Sequence, residues 1–232
     1  SEPTKVSGMH YTGGPLVSMK VPMTVLIEPS GTALDSFGYE AEDKYLELAD
    51  AGQHENWYYF SRFKMMLYGN IRLTEDMKME DETHKRLSAM TVFSLAIRYL
   101  KDDMLKVSRD RLTSDQLRDD EILWVLTVPA IWSEPAKQFM KEAAVKAGIK
   151  VENLKIALEP ETASIFCCLL PVEQLVERSE IVCFKIGSKY MVLDAGGGTV
   201  DITVHEVISG GKVKELHKAS GGDWGGTQVD EG

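Results

Sequence analysis

The apolar residues of this chain fall into short blocks, and the spacing inside each block predicts an element. Met23–Glu28 is β-rich and stops at Pro29-Ser30-Gly31, a turn signal, so Leu34–Tyr39 should close a hairpin with it. Residues 1–20, rich in Gly, Ser and Pro, predict irregular backbone. Ala41–Ala51 has helical composition and halts at Gly52. The aromatic and Met-rich run Trp57–Tyr68, ending at Gly69, predicts a short helix. His84–Val107 should be the longest helix. Met90, Phe93, Ile97, Leu100, Met104 and Val107 alternate spacings of three and four and so form one stripe, expected to be core. Charged Ser108–Glu121 predicts a surface connection.

Ile122–Val128 is nearly all apolar, as a strand covered on both faces would be, and Pro129 ends it. Ser133 can cap a helix that tolerates Pro135 in its first turn and stops at Gly148. Leu154–Leu158 predicts a strand, and Glu159-Pro160 opens a helix to about Leu170. From Tyr190 the pattern becomes strand, glycine turn, strand: Tyr190–Leu193, Gly196–Gly198, Val200–Val207. Gly210-Gly211 then turns into Lys212–Ala219. Hairpin, helices, strand–helix–strand–helix and a closing β-meander make an α/β layout with mixed strand directions.

Composition narrows the function classes. Of 232 residues, 44% are hydrophobic and 27% charged, which suits a folded globular chain. A net charge of −10 disfavours generic nucleic-acid binding. The longest apolar runs, Ile122–Trp132 and Ile165–Val172, each contain a proline and fall short of the roughly 18 residues of a membrane helix, so no membrane insertion is expected. Three cysteines and no visible signal peptide at Ser1-Glu2-Pro3 suggest a reducing, cytoplasmic setting. Cys167 and Cys168 are expected as small buried side chains on the helix after Glu159. The five histidines lack metal-ligand spacing and are expected to be structural or exposed. Both ends read as cut, so a fragment is expected.

Asp194-Ala195-Gly196-Gly197-Gly198-Thr199-Val200-Asp201 carries the chemistry. A buried strand would deliver Asp194 at its carboxyl end, where open α/β sheets bind ligands. Glycine backbone can approach an anion closely and take positive φ without strain, and its N–H groups can form a phosphate nest. Thr199 and Asp201 would share one face of the next strand, and Val200, Ile202 and Val204 the other. Carboxylates beside phosphates make sense where Mg²⁺ bridges them through water. A plain hairpin with a glycine-rich turn is the alternative. No Gly-Lys-Ser/Thr follows, so this is not a P-loop.

The segment resembles the second phosphate loop of the 70-kDa heat-shock chaperones, in the actin/sugar-kinase superfamily. Val128-Pro129-Ala130-Ile131-Trp132 with Ala136-Lys137-Gln138 and Ala143–Gly148 resembles their strand–helix unit. Ala157-Leu158-Glu159-Pro160-Glu161-Thr162-Ala163-Ser164 resembles their Glu-Pro crossover helix. The wording of these blocks is most similar to the divergent heat-shock 70 kDa protein 12 branch. The resemblance implies an actin-like ATPase (ribonuclease-H-like) lobe, a mixed β-sheet flanked by helices over residues 1–188, and the opening meander of a second lobe over 189–232. It implies ATP or ADP as ligand with Mg²⁺, and leaves room for protein partners.

Roles follow by resemblance, residue by residue. Glu159 matches the glutamate that positions Mg²⁺ and the attacking water, and Asp194 a metal-shell aspartate. Gly196, Gly197, Gly198 and Thr199 match the phosphate contacts, and Asp201 the aspartate that holds the site together. Lys64 matches the catalytic lysine, or is a surface lysine on a short helix. Gly225-Gly226 matches the glycine pair near the phosphates, or is a simple turn. The family's first phosphate loop and its adenosine loop are not found in these residues, which implies part of a cleft and weak ATP affinity for residues 1–232 alone. An ATP-hydrolysing chaperone-like module is the first reading. A nucleotide-gated interaction protein with little hydrolysis is the second, because Leu158 replaces the polar residue usual before Glu-Pro. A small-molecule kinase of the same superfamily is the third.

Overall fold

The computed structural model describes residues 8–9, 11–13, 16–18, 20–69, 73–74, 76–111, 118–169 and 185–230. Contacts gather them into two compact units that interleave along the chain. One is built from Lys5–Trp124 and Glu134–Leu154; the other holds Val125–Ser133 and Lys155–Gly232.

In the first unit, β1 (Tyr11–Gly13) and β2 (Leu16–Ser18) pair antiparallel, where irregular backbone was expected. β3 (Thr24–Ile27) is the middle strand of an antiparallel sheet, between β4 (Leu34–Phe37) and β5 (Tyr58–Ser61). All four residues of β3 are buried. Helix α1 (Tyr39–Asp50) packs on β3 and β4. The run Trp57–Tyr68 is not one helix. Its aromatic residues suit a pleated strand, and β5 registers Tyr58 to Phe60 against Ile27 to Val25. Arg62 then takes a left-handed backbone, φ 48°, and a 3-10 turn covers Phe63–Leu67.

The long helix starts later than His84, where it was expected. β6 (Lys78–Glu80) and β7 (Arg86–Ser88) form a hairpin, and α2 spans Ala89–Arg111. Asp81 makes the difference. Its side chain is fully buried, and Oδ1 accepts from the Thr83 amide (2.9 Å), the Thr83 hydroxyl (2.9 Å) and the Lys85 amide (2.8 Å). Oδ2 accepts from the Tyr59 amide at 3.1 Å. A buried carboxylate needs such donors, and here they fix the backbone around His84 in a turn, φ 66°, instead of a helix.

The α2 stripe holds in its first half only. Met90 and Phe93 are buried, but so are Ala89, Val92, Leu95 and Ala96, whereas Ile97, Leu100, Met104 and Val107 are half-buried. Helix α3 (Glu134–Lys146) packs on α2. Phe93 sits between Phe63 and Phe139, edge-on to each at 5.1 and 5.5 Å.

In the second unit, β8 (Trp124–Val128) pairs with β9 (Leu154–Leu158), with their first residues at the unit boundary. β8 is not covered on both faces among the described residues. It alternates, and Val125 is 52% exposed, because an apolar run does not itself supply a second packing layer. Helix α4 (Glu159–Leu169) packs on β10 (Lys189–Ala195) and β11 (Val200–Ile208). With β12 (Lys212–Gly222) these strands form an antiparallel meander in the order β10–β11–β12, followed by α5 (Gly226–Asp230).

The meander corrects one expectation. β10 is not a buried strand: Met191 and Leu193 are 64% and 60% exposed. The buried side of β11 is its polar side, Asp201, Thr203 and His205 with Val207, while Val200, Ile202 and Val204 are half-buried. Tyr190, Val192 and Asp194 register with His205, Thr203 and Asp201, so they share that side. Cys167 is exposed on α4, not buried; the Cys168 side chain and Cys183 lie outside the described residues.

Phe93→Ala should cost about 3–5 kcal/mol in urea unfolding, the range for deleting a buried aromatic ring. A loss below about 1 kcal/mol would show that the Phe63–Phe93–Phe139 contact is not central to this core.

Candidate functional site: a glycine loop between paired aspartates

Strands β10 and β11 place Asp194 directly opposite Asp201, and Gly196–Thr199 close the turn between them. The Gly196 amide donates to the Thr199 carbonyl at 2.9 Å, which makes the turn tight, and Thr199 is buried. None of the three glycines uses the left-handed backbone open to glycine. Glycine is needed here for close approach. A Cβ on Gly225 would stand 2.2 Å from the Gly197 carbonyl oxygen and 2.5 Å from the Gly198 carbonyl carbon.

The segment after β12 is seated on the loop by hydrogen bonds. The Gly226 amide donates to the Gly196 carbonyl at 3.0 Å, and the Thr227 amide to the Gly197 carbonyl at 3.0 Å. The Thr227 hydroxyl donates to the same Gly197 oxygen at 2.7 Å. Among the described residues, no backbone carbonyl accepts from the amides of Gly197, Gly198 or Thr199. Successive N–H groups left open at a turn suit an anion.

Asp201 anchors this turn from below. It is 1% exposed, and its Oδ1 accepts from the Ile131 amide at 2.9 Å, which ties β11 to the turn after β8. Its Oδ2 is buried with no protein partner, which leaves one acceptor for water or a ligand-borne donor. Across the sheet, Asp201 faces Gly221, where a Cβ would stand 1.9 Å from the Val200 carbonyl oxygen. The strands close on the aspartate because that side chain is missing.

Glu159 is the first residue of α4, half-buried, at the helix end that favours a carboxylate. The Thr162 hydroxyl bonds back to the Leu158 and Glu159 carbonyls at 3.1 and 2.8 Å, reinforcing that first turn. Lys64 stands half-buried in the 3-10 turn Phe63–Leu67, in the other compact unit. Thus Asp194, Gly196–Thr199, Asp201, Gly225 and Gly226 are brought together, with Glu159 on the helix that packs against the same two strands. Thr227 and the Ile131 amide were missed by sequence reasoning. Nothing in a lone threonine or a backbone amide signals such a role before the fold is known.

Among the described residues, no group of three or more His, Cys, Asp or Glu could hold a metal ion. Asp194 and Asp201 lie opposite each other beside the open glycine turn, a donor set that would suit a cation held through water with phosphate oxygens on the turn. Among the described residues, too, no helix is long and apolar enough to cross a membrane.

Gly225→Ala should destabilise the chain by about 1–3 kcal/mol, the cost of forcing a methyl group into packed atoms, and should shift the amide resonances of Gly196–Thr199. Gly226→Ala, whose Cβ would meet nothing within 4 Å, should move neither. Equal effects of the two changes would contradict the seating of Gly225 on the loop.

No protein-family profile matches the chain. It is 38% identical to heat shock 70 kDa protein 12A of Mus musculus, over 94% of this chain and 39% of that protein. It is 36% identical to heat shock 70 kDa protein 12B of Homo sapiens, over 99% of this chain and 40% of that protein. The chain thus spans about two fifths of the length of the curated relatives it matches. Among solved structures it is similar to MreB5 of Spiroplasma citri bound to ADP, with a TM-score of 0.52 at 13% identity, covering 94% of this chain and 49% of that one. The likeness in fold and the identity across nearly all of its residues lead to one assignment: the chain belongs to the 70-kDa heat-shock protein family and has the fold of an actin-like ATPase lobe.

Proposed function

We propose that the glycine turn and its aspartates form the phosphate half of an ATP site, in a chaperone-like protein that hydrolyses the nucleotide. One observation carries this reading. Among the described residues, three successive amides, of Gly197, Gly198 and Thr199, meet no backbone carbonyl at a turn whose other side is filled by Gly225. The ADP-bound state of the MreB5 relative in fold supports a nucleotide as the ligand. Lobes divided near residue 188 and a cytoplasmic location belong to the same reading.

Phosphoryl transfer asks a protein mainly to position groups and stabilise charge. The open amides would bind phosphate oxygens. Thr199, buried at the end of the turn, would orient its hydroxyl toward the terminal phosphate. Asp201 would hold the turn through the Ile131 amide and leave its second oxygen for a donor in the site. Glu159 would orient the attacking water, and Lys64 would contribute positive charge. Mg²⁺, held through water by Asp194 and Glu159, would supply neutralisation of the phosphate charge.

A second reading keeps nucleotide binding but little hydrolysis. Leu158, half-buried at the end of β9 beside Glu159, motivates it, since an apolar residue cannot help order water there. Single-turnover hydrolysis by the full-length protein separates the two. In that assay Thr199→Val should lower the rate by roughly 10²-fold, the usual loss for one transition-state hydrogen bond, with ATP affinity little changed. Unchanged turnover would sink the role of Thr199.

A further inference from the structure

The covered face of the meander is polar well beyond the glycine turn. Asp201 lies at one end of the buried side of β11, and Thr203 and His205 continue it. His205 is 1% exposed. Its Nε2 lies 2.8 Å from the Thr203 hydroxyl, and its Nδ1 is buried without a hydrogen-bond partner. The ring stacks on Tyr190, its register partner on β10, at 5.4 Å and 19°. The Tyr190 hydroxyl lies 3.4 Å from the Ser164 hydroxyl, and Ser164 donates to the Glu161 carbonyl at 2.8 Å. Ser164 is itself buried, on the helix whose first residue is Glu159.

We propose that Ser164 and Tyr190, backed by His205 and Thr203, form a positioning clamp that sets α4 on β10 and β11 and so places Glu159. The proposal rests on the reading of Glu159 as the residue that orients water.

The energetics favour a geometric role over a stabilising one. A buried nitrogen without a partner costs free energy, and leucine at position 205 would cover the same face without that cost. The polar set confers direction instead. Apolar helix–sheet packing tolerates small slides, whereas a hydroxyl pair at 3.4 Å between a stacked ring and a helix weakens further with any slide that lengthens it. Ser164 lies five positions after Glu159, about 7.5 Å along a helix. The first turn between them is tightened by Thr162, so a slide at Ser164 reaches Glu159 nearly undiminished. A misplacement of about 1 Å in a catalytic group can cost roughly 10²-fold in rate. None of the four clamp residues is proposed to touch nucleotide.

The test uses the full-length protein with Tyr190→Phe, Ser164→Ala and the double change. Each single change keeps nearly all of the packing and removes one hydroxyl. Each should lower single-turnover ATP hydrolysis about tenfold and leave KM for ATP within twofold. The double variant should be no slower than Ser164→Ala alone, because both changes break the Ser164–Tyr190 contact and only Ser164→Ala also removes the donation to the Glu161 carbonyl. Hydrogen exchange at the amides of α4 should quicken severalfold in all three, with or without ATP. Unchanged hydrolysis in the single variants overturns the proposal, as do effects that multiply in the double variant. If the wild type shows no single-turnover hydrolysis, the ATPase reading fails. The clamp is then judged by exchange alone, and unchanged α4 exchange overturns it.

Discussion

A buried carboxylate, Asp201, is the constraint around which the glycine turn is built. Burying such a group is costly unless donors meet it, and one donor comes from the Ile131 amide. That bond joins the end of one strand–turn unit to the start of another. The same aspartate registers with Asp194 on one side and Gly221 on the other. Gly221 can close in because it has no side chain, and Gly225 can settle on the loop for the same reason. One acidic residue therefore organises three strands, two turns and the open amides between them.

Much of this was legible in the chain. Asp194 to Asp201 announced a strand–turn–strand by its glycines, and Glu159-Pro160 announced a helix start by its proline; both stand where the pattern put them. The division of faces on β11 was legible too, since it needs only the period of two. Which face would be covered was not. Apolar residues are normally assigned inward, but α4 covers the side of Asp201, Thr203 and His205. That choice depends on Ser164 and Tyr190, which meet only after residues distant in sequence have packed. The reading of Trp57–Tyr68 as a helix failed for a related reason: β3 was available as a pairing partner, and tertiary pairing outweighed local composition. The early start given to α2 failed because a single buried group, Asp81, captured the amides of Thr83 and Lys85.

The two aspartates that matter most to architecture show how context decides a residue's work. Asp81 is satisfied by four donors, with Lys85 Nζ at 3.7 Å, and is used up in holding a hairpin. Asp201 is equally buried but keeps one oxygen without a protein partner. The first arrangement maximises local order. The second accepts a cost, and buried polar atoms left in that state are concentrated where a protein does chemistry.

The interleaving of the two compact units bears on how the chain reaches this state. Residues 134–154 belong to one unit and are flanked on both sides by segments of the other. The Ile131–Asp201 bond spans 70 residues, and the Gly197–Thr227 bond spans 30. Contacts so far apart in sequence form slowly, since loop closure comes before its reward. During synthesis, the turn at Ile131 must wait for β11 to emerge before its amide finds the aspartate. The braced glycine turn would then mature after the first core, and a nascent chain would pass through a stage with that core formed and the loop still unbraced.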